Sequence, residues 1–117
     1  MTPPSKINLN KAKTTLTVTF DDTDYELSAE FLRVYSPSAE VVGHGPGQET
    51  LQVGKEGVTI TNIQPTGNYA IILFFSDGHD TGIYSWSHLL NLCENKEKLW
   101  IEYLRKLKES GHFHSKH

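Results

Sequence analysis

The feature that most constrains this chain is the uninterrupted apolar and aromatic run over residues 69–75. Turn-forming residues bound the run, with Gly67 before it and Asp77 and Gly78 after it. A run of this length without polar alternation is typical of a central strand that is covered on both faces. The chain is therefore expected to fold around a sheet that has this segment in its middle.

Alternating segments supply the other predicted strands. Residues 15–20 alternate apolar side chains with threonine, and residues 25–27 continue the alternation after an acidic turn, which predicts an N-terminal hairpin. Residues 58–63 and 80–84 flank the apolar run, so three consecutive antiparallel strands are expected there.

Helical signals concentrate in the last third of the sequence. Ser85 and Asn95 are predicted N-caps of two helices, the second of which carries an apolar stripe and ends at Gly111. A short helix is expected after Ser28 and cannot continue far past Pro37. The prediction is an α+β fold: a small, mostly antiparallel sheet (N-terminal hairpin plus a three-strand meander) packed against C-terminal helices.

The length of the chain suits one domain, because 117 residues divided in two would leave each half too small for a useful core. We predict a flexible lead-in over residues 1–13, a single domain over residues 14–111 and a flexible tail over residues 112–117. The last segment contains three histidines, which we interpret as incidental on a loose tail.

Composition excludes several classes of partner. No apolar run approaches the roughly 20 residues of a membrane span, and residues 1–10 lack the apolar centre of a secretory signal. The net charge of −3 disfavours a nucleic-acid-binding surface. We therefore expect a cytoplasmic protein with no membrane or nucleic-acid partner.

Candidate metal ligands lie on one tight turn and in one loop. Asp77 and His79 stand two positions apart, a spacing that allows a shared metal ion or proton but is more typical of a plain hairpin turn. His44 lies in the glycine-rich loop over residues 43–57, which matches neither a dinucleotide-binding fingerprint nor a P-loop. A metal site of His79, His44 and Asp77 would require this loop to meet the end of the sheet.

The remaining reactive or aromatic side chains have structural interpretations. Cys93, the single cysteine, lies on the apolar side of a predicted helix and is expected to be a buried, inert thiol. Trp100 is expected to be buried between the last helix and the strand of residues 69–75. No serine lies in a nucleophile elbow, and no complete catalytic set is visible.

Two segments carry a family resemblance. Residues 77–86 read Asp-Gly-His-x-x-Gly-Ile-Tyr-x-Trp, and residues 43–47 read Gly-His-Gly-Pro-Gly. Over residues 16–107 the chain resembles the gamma-butyrobetaine hydroxylase-like N-terminal domain family, whose free-standing bacterial members have no established function. The resemblance implies a small α+β domain.

The resemblance also implies a degenerate zinc site. The eukaryotic hydroxylases of the family hold zinc with a Cys-x-Cys-x-x-Cys string after a Leu-Arg pair, together with the histidine of the strand turn. In this sequence the cysteine positions fall on Ser36, Ser38 and Val41, and only His79 matches. Because structural zinc needs thiolate or imidazole ligands, no cofactor is expected, with zinc or iron kept as the less favoured alternative.

The function implied is that of an accessory domain. The oxygenase catalytic domain is missing from these 117 residues, so we expect no enzyme activity of that kind. Family domains also occur fused to P-loop ATPases of the iron–sulfur carrier type. We therefore predict a non-catalytic domain that binds another protein, linked to iron–sulfur or metal metabolism. The alternative is a metal- or small-molecule-binding domain that uses His44 and His79.

Overall fold

The computed structural model describes residues 2–43, 49–112 and 114. Within them the chain forms two three-stranded antiparallel sheets and four helices, which confirms the predicted α+β class. In chain order the elements are β1 (Lys6–Leu9), β2 (Thr15–Phe20), β3 (Thr23–Ser28), α1 (Ala29–Val34), α2 (Ala39–Val42), β4 (Ile60–Thr66), β5 (Ala70–Phe75), β6 (Ile83–Ser85), α3 (Trp86–Glu94) and α4 (Lys96–Glu109). No helix in these described ranges is long and apolar enough to cross a membrane.

The first sheet has the order β1-β2-β3 and contains one strand that the sequence analysis missed. Residues 6–9, predicted as part of a flexible lead-in, form β1 and pair with β2. Ile7 lies opposite Val18 and Leu9 opposite Leu16, which is fully buried. Two apolar residues are too few for a period-two pattern, so this strand owes its place to pairing with β2.

The second sheet has the order β4-β5-β6, with the apolar run in its centre as predicted. β5 starts at Ala70, because Tyr69 lies in the preceding turn with 58% of its surface exposed. β6 is shorter than predicted and begins only at Ile83. Residues 76–82 form a seven-residue connection instead of a tight hairpin turn, and this connection contains Asp77 and His79.

Two of the three predicted helix caps are confirmed. The hydroxyls of Ser28 and Ser85 accept hydrogen bonds from backbone amides in the first turns of α1 and α3, at 3.0 and 3.1 Å. Asn95 precedes α4, but its side chain donates to Asn91 and makes no capping bond. The short helix α2 was not predicted; the Ser38 hydroxyl caps it by accepting from an amide of its first turn.

The aromatic side chains of α4 pack on α1, which corrects the expected position of Trp100. The Trp100 ring lies 6.4 Å from the Phe31 ring and 5.2 Å from the Tyr103 ring, centroid to centroid, and it is only partly buried. Cys93 is buried as predicted, and burial raises the pKa of its thiol to about 11, so it is protonated and unreactive at neutral pH.

Candidate functional site

Three of the four positions at which the resemblance implies zinc ligands, Ser36, Ser38 and His79, lie next to one another. Ser36 follows α1 and His79 lies in the β5–β6 connection, 43 residues later, yet Ser36 Oγ is 2.8 Å from His79 Nε2. Both residues are buried, with 0% and 6% of their surfaces exposed. Ser38 is adjacent, because its backbone N–H donates to Ser36 Oγ at 3.2 Å. The fold therefore brings together side chains that periodicity alone could not connect.

These side chains do not fit zinc. The Ser36 hydroxyl and the His79 imidazole are hydrogen-bonded to each other, and the Ser38 hydroxyl is 2.7 Å from the hydroxyl of Thr81. Val41 is buried and offers no ligand atom. Among the described residues, no group of three or more histidine, cysteine, aspartate or glutamate side chains could hold a metal ion. The donor set available here is a hydroxyl-rich one, which structural zinc does not use.

The chain packs tightly over Ser36. A Cβ atom added to Gly82 would clash with Ser36 Oγ and lie 3.1 Å from the Tyr84 ring. Gly82 is therefore required by close approach of the β5–β6 connection to the end of α1. This contact seals the Ser36 hydroxyl away from solvent.

His79 is neutral and its second nitrogen faces a carboxylate. Burial, followed by the positive charge of Arg33, lowers the pKa of His79 below its ordinary value of 6.5. In the contact between Ser36 Oγ and His79 Nε2 either group can donate, depending on which ring nitrogen of His79 carries the proton. Nδ1 is buried without a hydrogen-bond partner and lies 3.7 Å from Glu40 Oε2.

The order Ser36, His79, Glu40 resembles a nucleophile, base and acid, but it cannot act as one. Ser36 has no exposed surface, so a substrate carbonyl cannot reach its hydroxyl. Glu40 is 65% exposed at its side chain, whereas the acid of a catalytic triad is held in a buried hydrogen bond to the base. The geometry favours a structural role for the pair.

Asp77 connects three parts of the chain. Its Oδ2 accepts from Arg33 Nε at 2.9 Å and from Lys55 Nζ at 2.7 Å, and its Oδ1 accepts from the backbone N–H of His79 at 3.2 Å. Burial alone would raise the pKa of this carboxyl, but the hydrogen bonds from Lys55, His79 and Arg33 and the charge of Arg33 lower it to about 2. Asp77 therefore holds the β5–β6 connection against α1.

The predicted metal site of His44, Asp77 and His79 stays a prediction. His44 lies outside the described residues, so its distance from His79 is not defined. Asp77 and the Nε2 atom of His79 are both engaged in the contacts above. Arg33 was not predicted as a site residue, and only its place in the Leu-Arg pair before Ser36 could have indicated it.

A groove lies on the other side of Ser36, and we call it the α1–α2 groove. It has a volume of about 350 Å³. Its apolar lining comes from the end of α1, from α2 and from one residue of the glycine-rich loop: Val34, Val41, Val42 and Leu51. Lys106 and Glu49 contribute one charge of each sign. Val42 is 45% exposed, a large fraction for a branched apolar side chain beside a concavity.

Replacing His79 with alanine should lower the free energy of unfolding by about 1–3 kcal/mol, because the buried Ser36 hydroxyl loses its partner. Denaturant unfolding measures this. The matched control is His112→Ala, since His112 is exposed, and its effect should stay within about 0.5 kcal/mol. Equal effects of the two substitutions would contradict a structural role for His79.

Comparison with family models identifies the family of the chain. The family model for the gamma-butyrobetaine hydroxylase-like N-terminal domain matches residues 7–90. Among curated proteins, none matches the chain. Solved structures are also similar to the chain.

One NMR solution structure is 47% identical over 97% of this chain and 90% of the other, with a TM-score of 0.85. A second NMR solution structure is 44% identical over 95% of this chain and 83% of the other, with a TM-score of 0.79. A crystal structure from Acidithiobacillus ferrooxidans ATCC 23270, of a DUF971-family protein with unknown function, is 36% identical. That match covers 76% of this chain and 90% of the other, with a TM-score of 0.62.

Proposed function

Because the chain belongs to the gamma-butyrobetaine hydroxylase-like N-terminal domain family, we propose that it is a non-catalytic accessory domain that binds another protein. A similar protein from Acidithiobacillus ferrooxidans has unknown function, and the support for the proposal comes from this chain's own surface. The observation that carries it is the α1–α2 groove with its exposed aliphatic rim.

The lining of the groove favours a protein side chain over a small polar ligand. His88 Nε2 is already within hydrogen-bond distance of the Tyr35 carbonyl, and the Tyr103 hydroxyl donates to Glu30. A small polar molecule would therefore find few convergent polar partners, which specific small-molecule sites usually provide. The apolar walls instead suit an aliphatic side chain presented by a partner segment.

The rim extends the apolar surface outward. Val42 lines the groove, and Val53, directly after the lining segment, is 40% exposed. Exposed aliphatic side chains beside a concave apolar surface are characteristic of interaction sites. Lys106 and Glu49 contribute opposite charges, so the lining favours neither an acidic nor a basic partner.

The burial of the Ser36–His79 pair supports a non-catalytic role. Within residues 2–43, 49–112 and 114, the one hydrogen bond between a serine hydroxyl and a histidine ring is that of Ser36 with His79, and both residues are buried. We further propose that the partner is a component of iron–sulfur or metal metabolism. This step rests only on the P-loop ATPases to which domains of the family are fused.

The alternative, a metal or small-molecule site at His44 and His79, has one supporting observation. His79 Nδ1 is buried without a hydrogen-bond partner. Its other nitrogen is held by Ser36, and imidazole alone is a weak basis for a metal site. Protein binding is therefore the function that we conclude.

Site-specific photo-crosslinking in cells that natively express the protein tests the groove. With p-benzoylphenylalanine at position 42, we expect one prominent crosslinked partner. With the same group at position 101, where Ile101 is 66% exposed outside the groove lining, that partner should be missing. The crosslinked protein is then purified and its affinity for the unmodified chain is measured.

Val42→Asp should weaken that affinity by at least about tenfold, equivalent to about 1.4 kcal/mol, because it places a charge against an apolar partner. Ile101→Asp is the matched control and should leave the affinity unchanged. Both variants should melt like the wild type, since both positions are exposed. Equal affinities of the two variants would refute the groove as the binding site.

A further inference from the structure

The side chain of His114 is buried, although it lies in the segment predicted to be a loose tail. It is 2% exposed, and its Nε2 lies 2.7 Å from Glu30 Oε2 and 2.9 Å from Glu30 Oε1. The two residues are 84 positions apart. His114 therefore reaches back to α1 and contacts a carboxylate that has only 7% of its surface exposed.

Aromatic rings enclose the imidazole. The Trp100 ring is 5.4 Å from the His114 ring and the Tyr103 ring is 6.3 Å from it, each at 84° to the plane of the imidazole. We call the place that the His114 ring occupies between Glu30, Trp100 and Tyr103 the Glu30 socket. Edge-on packing against two rings selects a flat, ring-sized occupant.

The buried carboxylate of Glu30 requires an N–H donor in the socket. Its Oε2 accepts from the Tyr103 hydroxyl at 2.8 Å, which alone does not compensate a carboxylate removed from water. The hydrogen bond to Glu30 and burial together raise the pKa of Tyr103, burial being the larger cause, so the phenol stays protonated as a donor. The N–H of His114 supplies the second donor, shared between both carboxylate oxygens.

The end of α4 directs the chain toward the socket. Gly111 has a φ of 82°, and the N–H of His112 donates to the carbonyl of Leu107 at 2.9 Å. This pair forms the reversal typical of a helix C-terminus that ends in glycine. The chain therefore reverses its direction at Gly111, three residues before His114.

We propose that the Glu30 socket is a binding site for a nitrogen heterocycle that carries an N–H donor, and that His114 occupies it as an internal ligand. The socket lies apart from Ser36 and His79 and does not depend on the proposed binding of a partner to the α1–α2 groove. An external ligand of the same chemistry would compete with the His114 imidazole for this place.

Chemical complementation with imidazole tests the proposal in the full-length chain. His114→Ala removes the internal ligand and leaves the carboxylate and the aromatic walls in place. Added imidazole should then shift the indole resonance of Trp100 in a saturable manner and raise the melting temperature of the variant. The wild type should show neither response, because its socket is filled.

Two controls make the test specific. His112→Ala removes an exposed histidine two residues away and should behave like the wild type. The double variant Glu30→Gln/His114→Ala lacks the carboxylate and should bind imidazole at least tenfold more weakly. An equal response in the single and double variants, or none in His114→Ala, would overturn the proposal.

If the His114→Ala variant does not fold, NMR of the wild type tests the same contacts. Nuclear Overhauser effects should connect the ring protons of His114 with those of Trp100 and Tyr103. Their absence, with His114 chemical shifts matching those of an unstructured peptide, would overturn the proposal without any variant.

Discussion

Asp77→Asn should lower the free energy of unfolding by about 3 kcal/mol, the lower end of the cost of removing one partner from a buried ion pair. The lower end applies because the Asp77 side chain is 24% exposed, whereas that of Arg33 is only 8% exposed. The substitution preserves shape and removes only the charge. It leaves a guanidinium whose NH1 atom is already buried without a hydrogen-bond partner.

The matched control is an exposed ion pair of the same chemistry. Glu109→Gln breaks the contact of Glu109 with Arg105 on α4, where both side chains are more than half exposed, at 62% and 54%. Such a pair contributes about 0.3–0.5 kcal/mol. Similar losses of stability in Asp77→Asn and Glu109→Gln would mean that the Asp77 contacts do not hold the β5–β6 connection.

The contribution of Asp77 to the free energy of unfolding should depend on pH. The folded-state pKa of this carboxyl is about 2, below its ordinary value of 3.8, so its stabilisation is complete above about pH 4. It is lost as the pH falls toward 2, because protonation removes the charge that faces Arg33. The difference in unfolding free energy between wild type and Asp77→Asn should therefore narrow between pH 4 and pH 2. A constant difference across this range would contradict the ion pair.

Local signals in the sequence were sufficient to predict most of the second sheet and the first residues of two helices. The run over residues 69–75 has no polar alternation, which is typical of a central strand with both faces buried. The strand β5 could therefore be predicted without knowing which strands pair with it. The hydroxyls of Ser28 and Ser85 each accept a hydrogen bond from the backbone amide three residues further along the chain. Such features are local, and composition and spacing therefore reveal them.

Features that depend on distant partners were not visible. The strand β1 has only two apolar residues and exists through its pairing with β2. The contacts of Arg33 with Asp77 and of Glu30 with His114 join positions 44 and 84 residues apart. The proximity of Ser36 to His79 was indicated only through the family's ligand positions, since no periodic pattern links them.

Restoring the three cysteines should convert the Ser36–His79 site into a zinc site. The variant Ser36→Cys/Ser38→Cys/Val41→Cys supplies three thiolates beside the His79 imidazole, the Cys₃His set that structural zinc uses. We expect one zinc per chain by mass spectrometry of the purified protein. At a free zinc concentration about a thousand times the Kd, the metal should stabilise the variant by about 4 kcal/mol.

The wild type provides the comparison for this variant. It should contain no stoichiometric zinc and should not unfold in a chelator, because Ser36 and Val41 stand where thiolates are needed. Adding His79→Ala to the triple variant should lower zinc affinity by removing the fourth ligand. Cobalt substitution reports thiolate coordination directly through its charge-transfer absorption.

The outcomes separate the two interpretations of His79. Zinc binding by the triple variant that is independent of His79 would show that the loop after α1 binds metal without the β5–β6 connection, and it would refute the shared site. Stoichiometric zinc in the wild type, with saturable NMR shifts at His79, would favour the alternative metal-binding function. Binding by the triple variant alone would mean that the Ser36–His79 hydrogen bond occupies the place of a metal and keeps the connection closed over α1.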